Sequence, residues 1–528
     1  MTQPLQDSRP RSVTRAALGM GGVTAVSRLM GFVRVLVIAA VLGTTFLGNT
    51  FQASNSVSNV LFELLAAGAL SAVLVPTFVT LIDRGEASEA DRLSNGLLGY
   101  ALVILGAVAV VGVVCAPLIA RLLSSGAPDA VVGGEQRHLA TFLLWFFIPQ
   151  VVLYAFGAVA TAQLYARRRF AIAAAAPIGS SVVMILCFVT FRVLAGPNPT
   201  FDLTLGEKSL LAFAGTGGVI AFVGILVVAA RRSGFSLRPM FIRNDPALSM
   251  FARLALWGIL LHAGAAMLLG AAIVIGNGVA GGVVAYQVAF VFFLAPYAVL
   301  AQPLHTAMFP EMSNDAAAGS LDVLAGSICW TLDRMALLVV PVSAGMVALA
   351  LPAMRLVSFG SAAKTGPQLL AAGIASLALG LYPYSAFLLF ARSYYAMGDS
   401  RTPAFVAIGS ALLGVATMIV LGHDTHGAAR VAALGLGHTA AYLVGALVLG
   451  VGCARRTGRS ITPVLLPVAL AIGGAIAFGA WLVLRAADPQ GRLETIAWLV
   501  VVGAIGTATY VLAARRWWRT PDLAPTEP

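Results

Sequence analysis

Residues 27–63 read SRLMGFVRVLVIAAVLGTTFLGNTFQASNSVSNVLFE. With the apolar run that precedes it, this stretch predicts two membrane-spanning helices. The first covers roughly Ala16–Leu42 and is apolar except for Thr24, Ser27, Arg28 and Arg34. The second starts near Thr50 and carries Gln52, Asn55, Ser56, Asn59 and Glu63. At about 100° per residue those five fall on one stripe roughly 100° wide, and Thr24, Ser27, Arg28, Gly31 and Arg34 share an arc of about 120°. The opposite faces are Leu, Val, Ile, Phe and Ala. Such helices turn one side to lipid and the other to protein or a water-filled cavity.

Depth sharpens the reading. At about 1.5 Å per residue, Arg28 lies about 18 Å and Arg34 about 27 Å into the first helix, and Glu63 about 20 Å into a second helix running back. A mid-membrane arginine costs roughly 2.5–3.5 kcal/mol, so its default reading is functional. The competing reading is an Arg28–Glu63 ion pair that only pins the helices together, with Arg34 snorkelling toward an interface.

Composition excludes a soluble enzyme. Of 528 residues, 59% are hydrophobic and only 10% charged. The mean hydropathy is +0.92. These values define a polytopic membrane protein, and its spans must be helices because lipid offers backbone groups no partner. The alternating pattern of a β-barrel is absent. Fourteen apolar segments follow: 16–42, 50–81, 94–123, 138–162, 171–191, 209–230, 249–275, 280–308, 327–351, 368–391, 403–421, 428–450, 463–484 and 495–514.

Cationic residues test this layout. With the N-terminus in the cytoplasm, 21 of the 33 Lys and Arg fall in inside segments, nine outside, and Arg28, Arg34 and Arg334 within spans. The positive-inside rule therefore supports both termini inside. The formal charge of +12 is topological and gives no reason to expect nucleic acid. The run Arg515-Arg516-Trp517-Trp518-Arg519 is an interfacial anchor, and Thr520–Pro528 is a disordered tail.

No loop reaches 20 residues, which leaves no room for a nucleotide-binding or catalytic domain, and no Walker A pattern occurs. Cys115, Cys187, Cys329 and Cys453 are scattered singly, without metal or disulfide spacing. His423 and His426 flank Asp424 without an evident fourth ligand, so no metal and no cofactor is expected. His262 and His305 read as core histidines. Arg167-Arg168-Arg169 is a topology signal first and a candidate for meeting anionic headgroups second. Asp333 and Arg334, at the cytoplasmic start of the ninth expected span, suggest a helix-end ion pair or an interfacial placement rather than a cavity role. Asp399 and Arg401 are expected to position a short turn before Pro403, with a gating role as the alternative. Pro296, Pro303, Pro341 and Pro383 are the expected kinks.

Several of these stretches resemble one known family. Ser27-Arg28-Leu29-Met30-Gly31-Phe32-Val33-Arg34 is similar to the first-helix motif of the MurJ (MviN-like) family of lipid II flippases. Asn59, Ala67–Ser71 and Val75-Pro76 resemble its second helix. Arg169–Ala171 through Pro177 resembles the loop before its fifth helix, and Pro296–Ser313 its eighth helix and exit. Ala391-Arg392-Ser393-Tyr394-Tyr395-Ala396-Met397-Gly398-Asp399-Ser400-Arg401-Thr402-Pro403, the most specific match, resembles its tenth-to-eleventh helix turn.

The resemblance implies an all-α membrane protein of about 14 transmembrane helices. Two pseudo-symmetric six-helix lobes, 16–230 and 249–450, would form a V around a central cavity. A cytoplasmic tail 1–15, a cytoplasmic linker 231–248, a helix pair 463–514 forming a lipid groove, and a tail 515–528 complete it. It implies flipping of lipid II from the inner to the outer leaflet of the bacterial cytoplasmic membrane by alternating access, without chemistry. Arg28 and Arg34 would clamp the diphosphate, with Ser27, Asn55, Asn59 and Glu63 beside them. Cell-wall synthesis or division proteins are candidate partners.

The chain also departs from the pattern. Family members carry basic residues where this chain has Phe62 and Glu63, and an acid where it has Asn49. Their eighth helix holds an Asp-Arg pair, whereas Tyr286–Pro296 is uncharged. The eleventh span has no acid or Asn, so nothing supports a sodium site there. Rival readings are a flippase for another polyprenyl-diphosphate oligosaccharide, a cation-coupled multidrug exporter using Glu63, and a non-transporting cell-wall scaffold.

Overall fold

In the computed structural model the described residues are 9–62, 78, 79, 81, 82, 84–167, 169–242, 246–363, 366–489 and 491–518. Among them the structure is helical and contains no strand. Helix α1 is Arg9–Leu42 and α2 is Phe46–Phe62. Next come α3 (Ala87–Val114), α4 (Ala116–Leu123), α5 (Ala130–Phe147), α6 (Gln150–Ala166), α7 (Phe170–Ala195) and α8 (Leu205–Arg232). The second half holds α9 (Pro246–Gly276), α10 (Gly282–Pro296), α11 (Gln302–Ala317), α12 (Leu321–Val357), α13 (Gly366–Ala378), α14 (Leu381–Ala396), α15 (Arg401–Gly422), α16 (Gly427–Thr457), α17 (Leu466–Ala487) and α18 (Arg492–Trp518).

Twelve described stretches are long and apolar enough to cross a membrane. Helices α13 and α14, bent by 43° at their break, make a thirteenth as one broken span. The remaining expected span is α2 and its continuation, of which 63–77 lie outside the described residues. Glu63 falls there.

Boundaries shift from expectation for local reasons. Helix α2 begins at Phe46, not Thr50, because Thr45 caps it: its Oγ1 accepts from the Gly48 amide at 3.1 Å. The fourth expected span is two helices, α5 and α6, broken at Ile148-Pro149. Around Pro296 and Pro303 the chain passes through a π-helical turn, Tyr297–Ala301, the usual form of a local kink.

The chain divides into two compact units. One comprises 1–41, 53–121 and 135–259. Its core joins α3, α6, α7 and α8 through Leu98, Leu105, Val151, Ala160, Leu164, Ala176 and Leu226. The segment after α8 is strapped along α3. The Met240 amide donates to Asn95 O at 3.1 Å, and Asn95 Oδ1 accepts from the Arg238 amide at 2.9 Å. A Cβ on Gly99 would lie 2.2 Å from Met240 O, so only glycine admits the strap. Arg167 serves the same segment, donating to Ser233 O at 2.6 Å beneath the Phe235 ring.

The other unit comprises 42–52, 122–134 and 260–528. Here prolines open helix carbonyls that other helices close. Pro341 has no N–H for Leu337 O, and Tyr510 Oη donates to that carbonyl at 2.9 Å. Asp333 and Arg334 differ from expectation. They lie well inside α12, which starts at Leu321, and each serves a different backbone. Asp333 Oδ1 accepts from the Leu465 amide at 2.8 Å, and Arg334 donates to Trp517 O at 3.2 Å. Together they fasten both ends of the α17–α18 pair to α12.

Candidate functional site

The polar stripe of the first unit is built on α1, α2 and α6. Ser27 is buried and Arg34 half-buried, whereas Arg28 is exposed. Among the described residues Arg28 makes no hydrogen bond or ion pair. The Arg34 guanidinium interacts electrostatically with the Tyr154 hydroxyl, which donates to Asn59 Oδ1 at 3.0 Å. Asn59 is otherwise exposed and Asn55 half-buried. Beneath them Ser58 Oγ contacts Gln150 Oε1 at 3.4 Å, and Gln150 Nε2 donates to Thr216 at 2.8 Å. Arg34 and Asn59 therefore both lie near the Tyr154 hydroxyl. The proposed Arg28–Glu63 pair lies outside the described residues.

Tyr154 and Gln150 escaped the sequence reading. Their signal was available: with a break at Pro149, Gln150, Tyr154 and Thr161 share one face of α6. A guanidinium that makes no ion pair among the described residues, beside amide and hydroxyl groups, suits a phosphate group.

A second polar constellation, in the other unit, centres on Asn49. Its side chain is fully buried. Asn49 Nδ2 donates to Val279 O at 2.8 Å and to Asn277 Oδ1 at 3.3 Å. Its Oδ1 accepts from the amides of Val283 at 3.0 Å and Val284 at 3.4 Å. Those are among the first amides of α10, which begins after Gly281. Gly281 (φ 75°) has no side chain to cap it, and its Cα lies so near Thr44 that a Cβ would collide at 2.3 Å or less. Asn49 thus caps a helix 234 residues away.

The turn at Gly398-Asp399 closes a third cluster. Asp399 Oδ1 accepts from the Arg401 and Thr402 amides at 2.9 and 3.0 Å, and Oδ2 accepts from Thr402 Oγ1 and Arg456 at 2.6 Å each. Arg456 also lies over the Tyr394 ring at 4.5 Å. Burial disfavours the charge, yet the hydrogen bonds from Thr402, Arg456 and Arg401 outweigh it and hold the Asp399 carboxyl down at about 2. A depressed carboxyl stabilises the fold above its unfolded value near 3.9, and that contribution is lost as pH falls through about 2. Asp399→Asn should therefore lower the unfolding free energy at pH 7, by about 1 kcal/mol or less since Arg456 is partly exposed. The gap to the native chain should narrow steadily between pH 4 and pH 2. A constant gap would mean the charge contributes nothing.

The α12, α17 and α18 helices enclose an apolar groove of about 440 Å³, lined by Pro341, Gly345, Gly473, Ala477, Gly506 and Tyr510. Glycines shape it: Gly473 lets α17 approach α12, since a Cβ there would sit 3.1 Å from Pro341 Cα, and Gly345 and Gly503 leave open space.

Together, twelve apolar spans, a broken span and carbonyls closed between helices define a multi-pass helical membrane protein. Its fold is that of solved transporters. A structure described as a lipid II flippase MurJ in an inward closed conformation superposes with a TM-score of 0.73 at 16% identity, covering 95% of this chain and 99% of that one. An inward-facing multidrug resistance MATE family transporter gives 0.64 at 13% identity over 84% and 98%. The family model for lipid II flippase MurJ matches residues 38–492, and the chain belongs to that family. Similar proteins include a probable lipid II flippase MurJ from Rhizobium tropici, 24% identical over 76% of this chain and 75% of its own. One from Vibrio cholerae is 25% identical over 74% of each. A lipid II flippase MurJ from Burkholderia cenocepacia is 24% identical over 75% of each.

Proposed function

We propose that this chain carries lipid II across the bacterial cytoplasmic membrane, from inner to outer leaflet, by alternating access and without covalent chemistry. The observation that carries the reading is the family match over residues 38–492, joined to a half-buried arginine on α1. In this reading Arg34 and Arg28 bind the diphosphate, with Asn59, Asn55 and Ser27 on the headgroup and Glu63 modulating their charge. The groove between α12, α17 and α18 takes the polyprenyl tail. Both termini are cytoplasmic, as the cation count supports.

The test is lipid II translocation in cells depleted of their own flippase. The native chain is expected to restore translocation and growth. Correct insertion without rescue would instead favour another polyprenyl-diphosphate saccharide. Growth supported equally well by transport-dead chains would favour the scaffold reading.

A further inference from the structure

Two buried side-chain oxygens in the first unit have no hydrogen-bond partner among the described residues: Asp91 Oδ1 on α3 and Gln163 Oε1 on α6. Gln163 is fully buried, and so is Ser94, which joins the two residues. Ser94 fixes the orientation of the amide. Its hydroxyl donates to Asp91 O at 3.0 Å, so toward Gln163 it can only accept, which it does from Nε2 at 2.8 Å. Gln163 Oε1 is therefore left as an acceptor without a donor. Asp91 Oδ2 accepts one long bond, at 3.4 Å, from the Ser236 amide. Arg167, one turn beyond Gln163, acts on Asp91 electrostatically but makes no ion pair with it. Its guanidinium is taken up by Ser233 O at 2.6 Å and by the Phe235 ring at 4.4 Å.

A stranded buried acceptor weakens a fold, and a stranded carboxylate oxygen weakens it more. Native structures seldom leave such atoms alone, so each calls for an occupant. A carboxylate, an amide carbonyl and a hydroxyl are the ligands of a hard cation. The charge count narrows the choice. The site holds one carboxylate, and Arg167 already offsets part of its charge, which is too little for a divalent ion. A water molecule could donate to both oxygens, but it would leave the carboxylate without an ion partner. A single positive charge satisfies both oxygens and the carboxylate together.

We propose that Asp91 Oδ1, Gln163 Oε1 and the remaining lone pair of Ser94 Oγ hold one alkali cation, with water completing its shell on the half-exposed side of Asp91. The ion joins α3 to α6 beside the segment that leaves α8. That segment is bonded to the same stretch of α3, through Ser236 to Asp91 and to Asn95 Nδ2 at 3.4 Å. Binding the ion therefore tightens residues 233–242 on α3. The site shares no residue with the flipping site and does not depend on the flipping reading.

Thermal melting of the full chain in mild detergent tests this, with choline chloride replaced stepwise by NaCl or by KCl at constant ionic strength. Constant ionic strength removes screening as a cause, and choline is too large for the site. The native chain should melt higher as Na⁺ or K⁺ rises, along a saturating curve, because a ligand bound only to the folded state stabilises it. Hydrogen exchange over 233–242 should slow in parallel. Asp91→Asn keeps the shape and gives Gln163 Oε1 an amide donor. It should melt no lower than the native chain in choline and should lose the response to Na⁺ and K⁺. Gln163→Met removes one ligand oxygen and should raise the half-saturating concentration about tenfold. Equal melting of the native chain in all three salts would overturn the proposal and leave water as the occupant. A response to Na⁺ or K⁺ that survives in Asp91→Asn would also overturn it, by placing the ion elsewhere.

Discussion

Arg34→Ala is expected to lower lipid II translocation by about 10²–10⁴-fold at equal expression, because two charge-assisted hydrogen bonds of roughly 1.5–3 kcal/mol each are lost. Arg34 lies near the Tyr154 hydroxyl and is paired with no acid among the described residues. Arg34→Lys keeps the charge but loses the planar fork, and should cost only about tenfold. Arg28→Ala should also reduce translocation. It should leave the melting temperature unchanged, since Arg28 is exposed and bonded to no described residue. Tyr154→Phe removes the hydroxyl that holds Asn59 near Arg34 and should produce an intermediate, several-fold loss. Translocation in inverted vesicles, normalised to inserted protein, reads all four. If Arg34→Ala and Arg34→Lys transport equally at native rates, the guanidinium clamp is wrong and the stripe is helix packing.

What the sequence discloses follows from the range of the interactions involved. The spans are legible because burial in lipid demands about 20 apolar residues in succession, a signal local in the chain. The stripes on α1 and α2 are legible for the same reason: helical period alone sorts Arg34 and Asn59 onto polar faces. The start of α2 was also within reach, since Thr45 three residues before Gly48 is an N-cap spacing. Other features depend on partners distant in sequence. Asp333 and Arg334 look like a pair when adjacent in the chain. Their actual partners, the Leu465 amide and the Trp517 carbonyl, lie 132 and 183 residues on. Tyr510 on Leu337 O follows from Pro341 only once the last helix is known to lie alongside. The turn at Asp399 was readable as a turn, whereas Arg456, 57 residues away, was not readable as its cation.

Asn49 makes the same point most sharply, and its replacement should have the largest effect on stability. Asn49→Ala would leave the Val283 and Val284 amides and the Val279 carbonyl without their side-chain partner, next to a buried Asn277. Losing a cap costs about 0.5–2 kcal/mol and stranding a buried group about 1–3 kcal/mol, so a total of about 3–4 kcal/mol is expected. Asn49→Asp should behave quite differently. A carboxylate still accepts from both amides and is favoured at a helix N-terminus by the dipole, losing only the donation to Val279 and Asn277. Its second oxygen then faces the Val279 carbonyl in a fully buried site, so it weakens the fold through that contact while keeping the cap. Hydrogen exchange over 279–286 provides the direct readout: much faster in Asn49→Ala, near native in Asn49→Asp. Similar exchange in all three chains would mean that α10 is capped by other means. The consequence reaches transport because residues 42–52 group with the second unit, whereas the rest of α1 and α2 belongs to the first. Any cycle that moves one unit relative to the other must either break the Asn49 cap or bend α1 and α2 beside it. Asn49→Ala would lower the first barrier and leave the second. A variant that exchanges quickly yet still translocates lipid II would locate the slow step in the helices rather than in the cap.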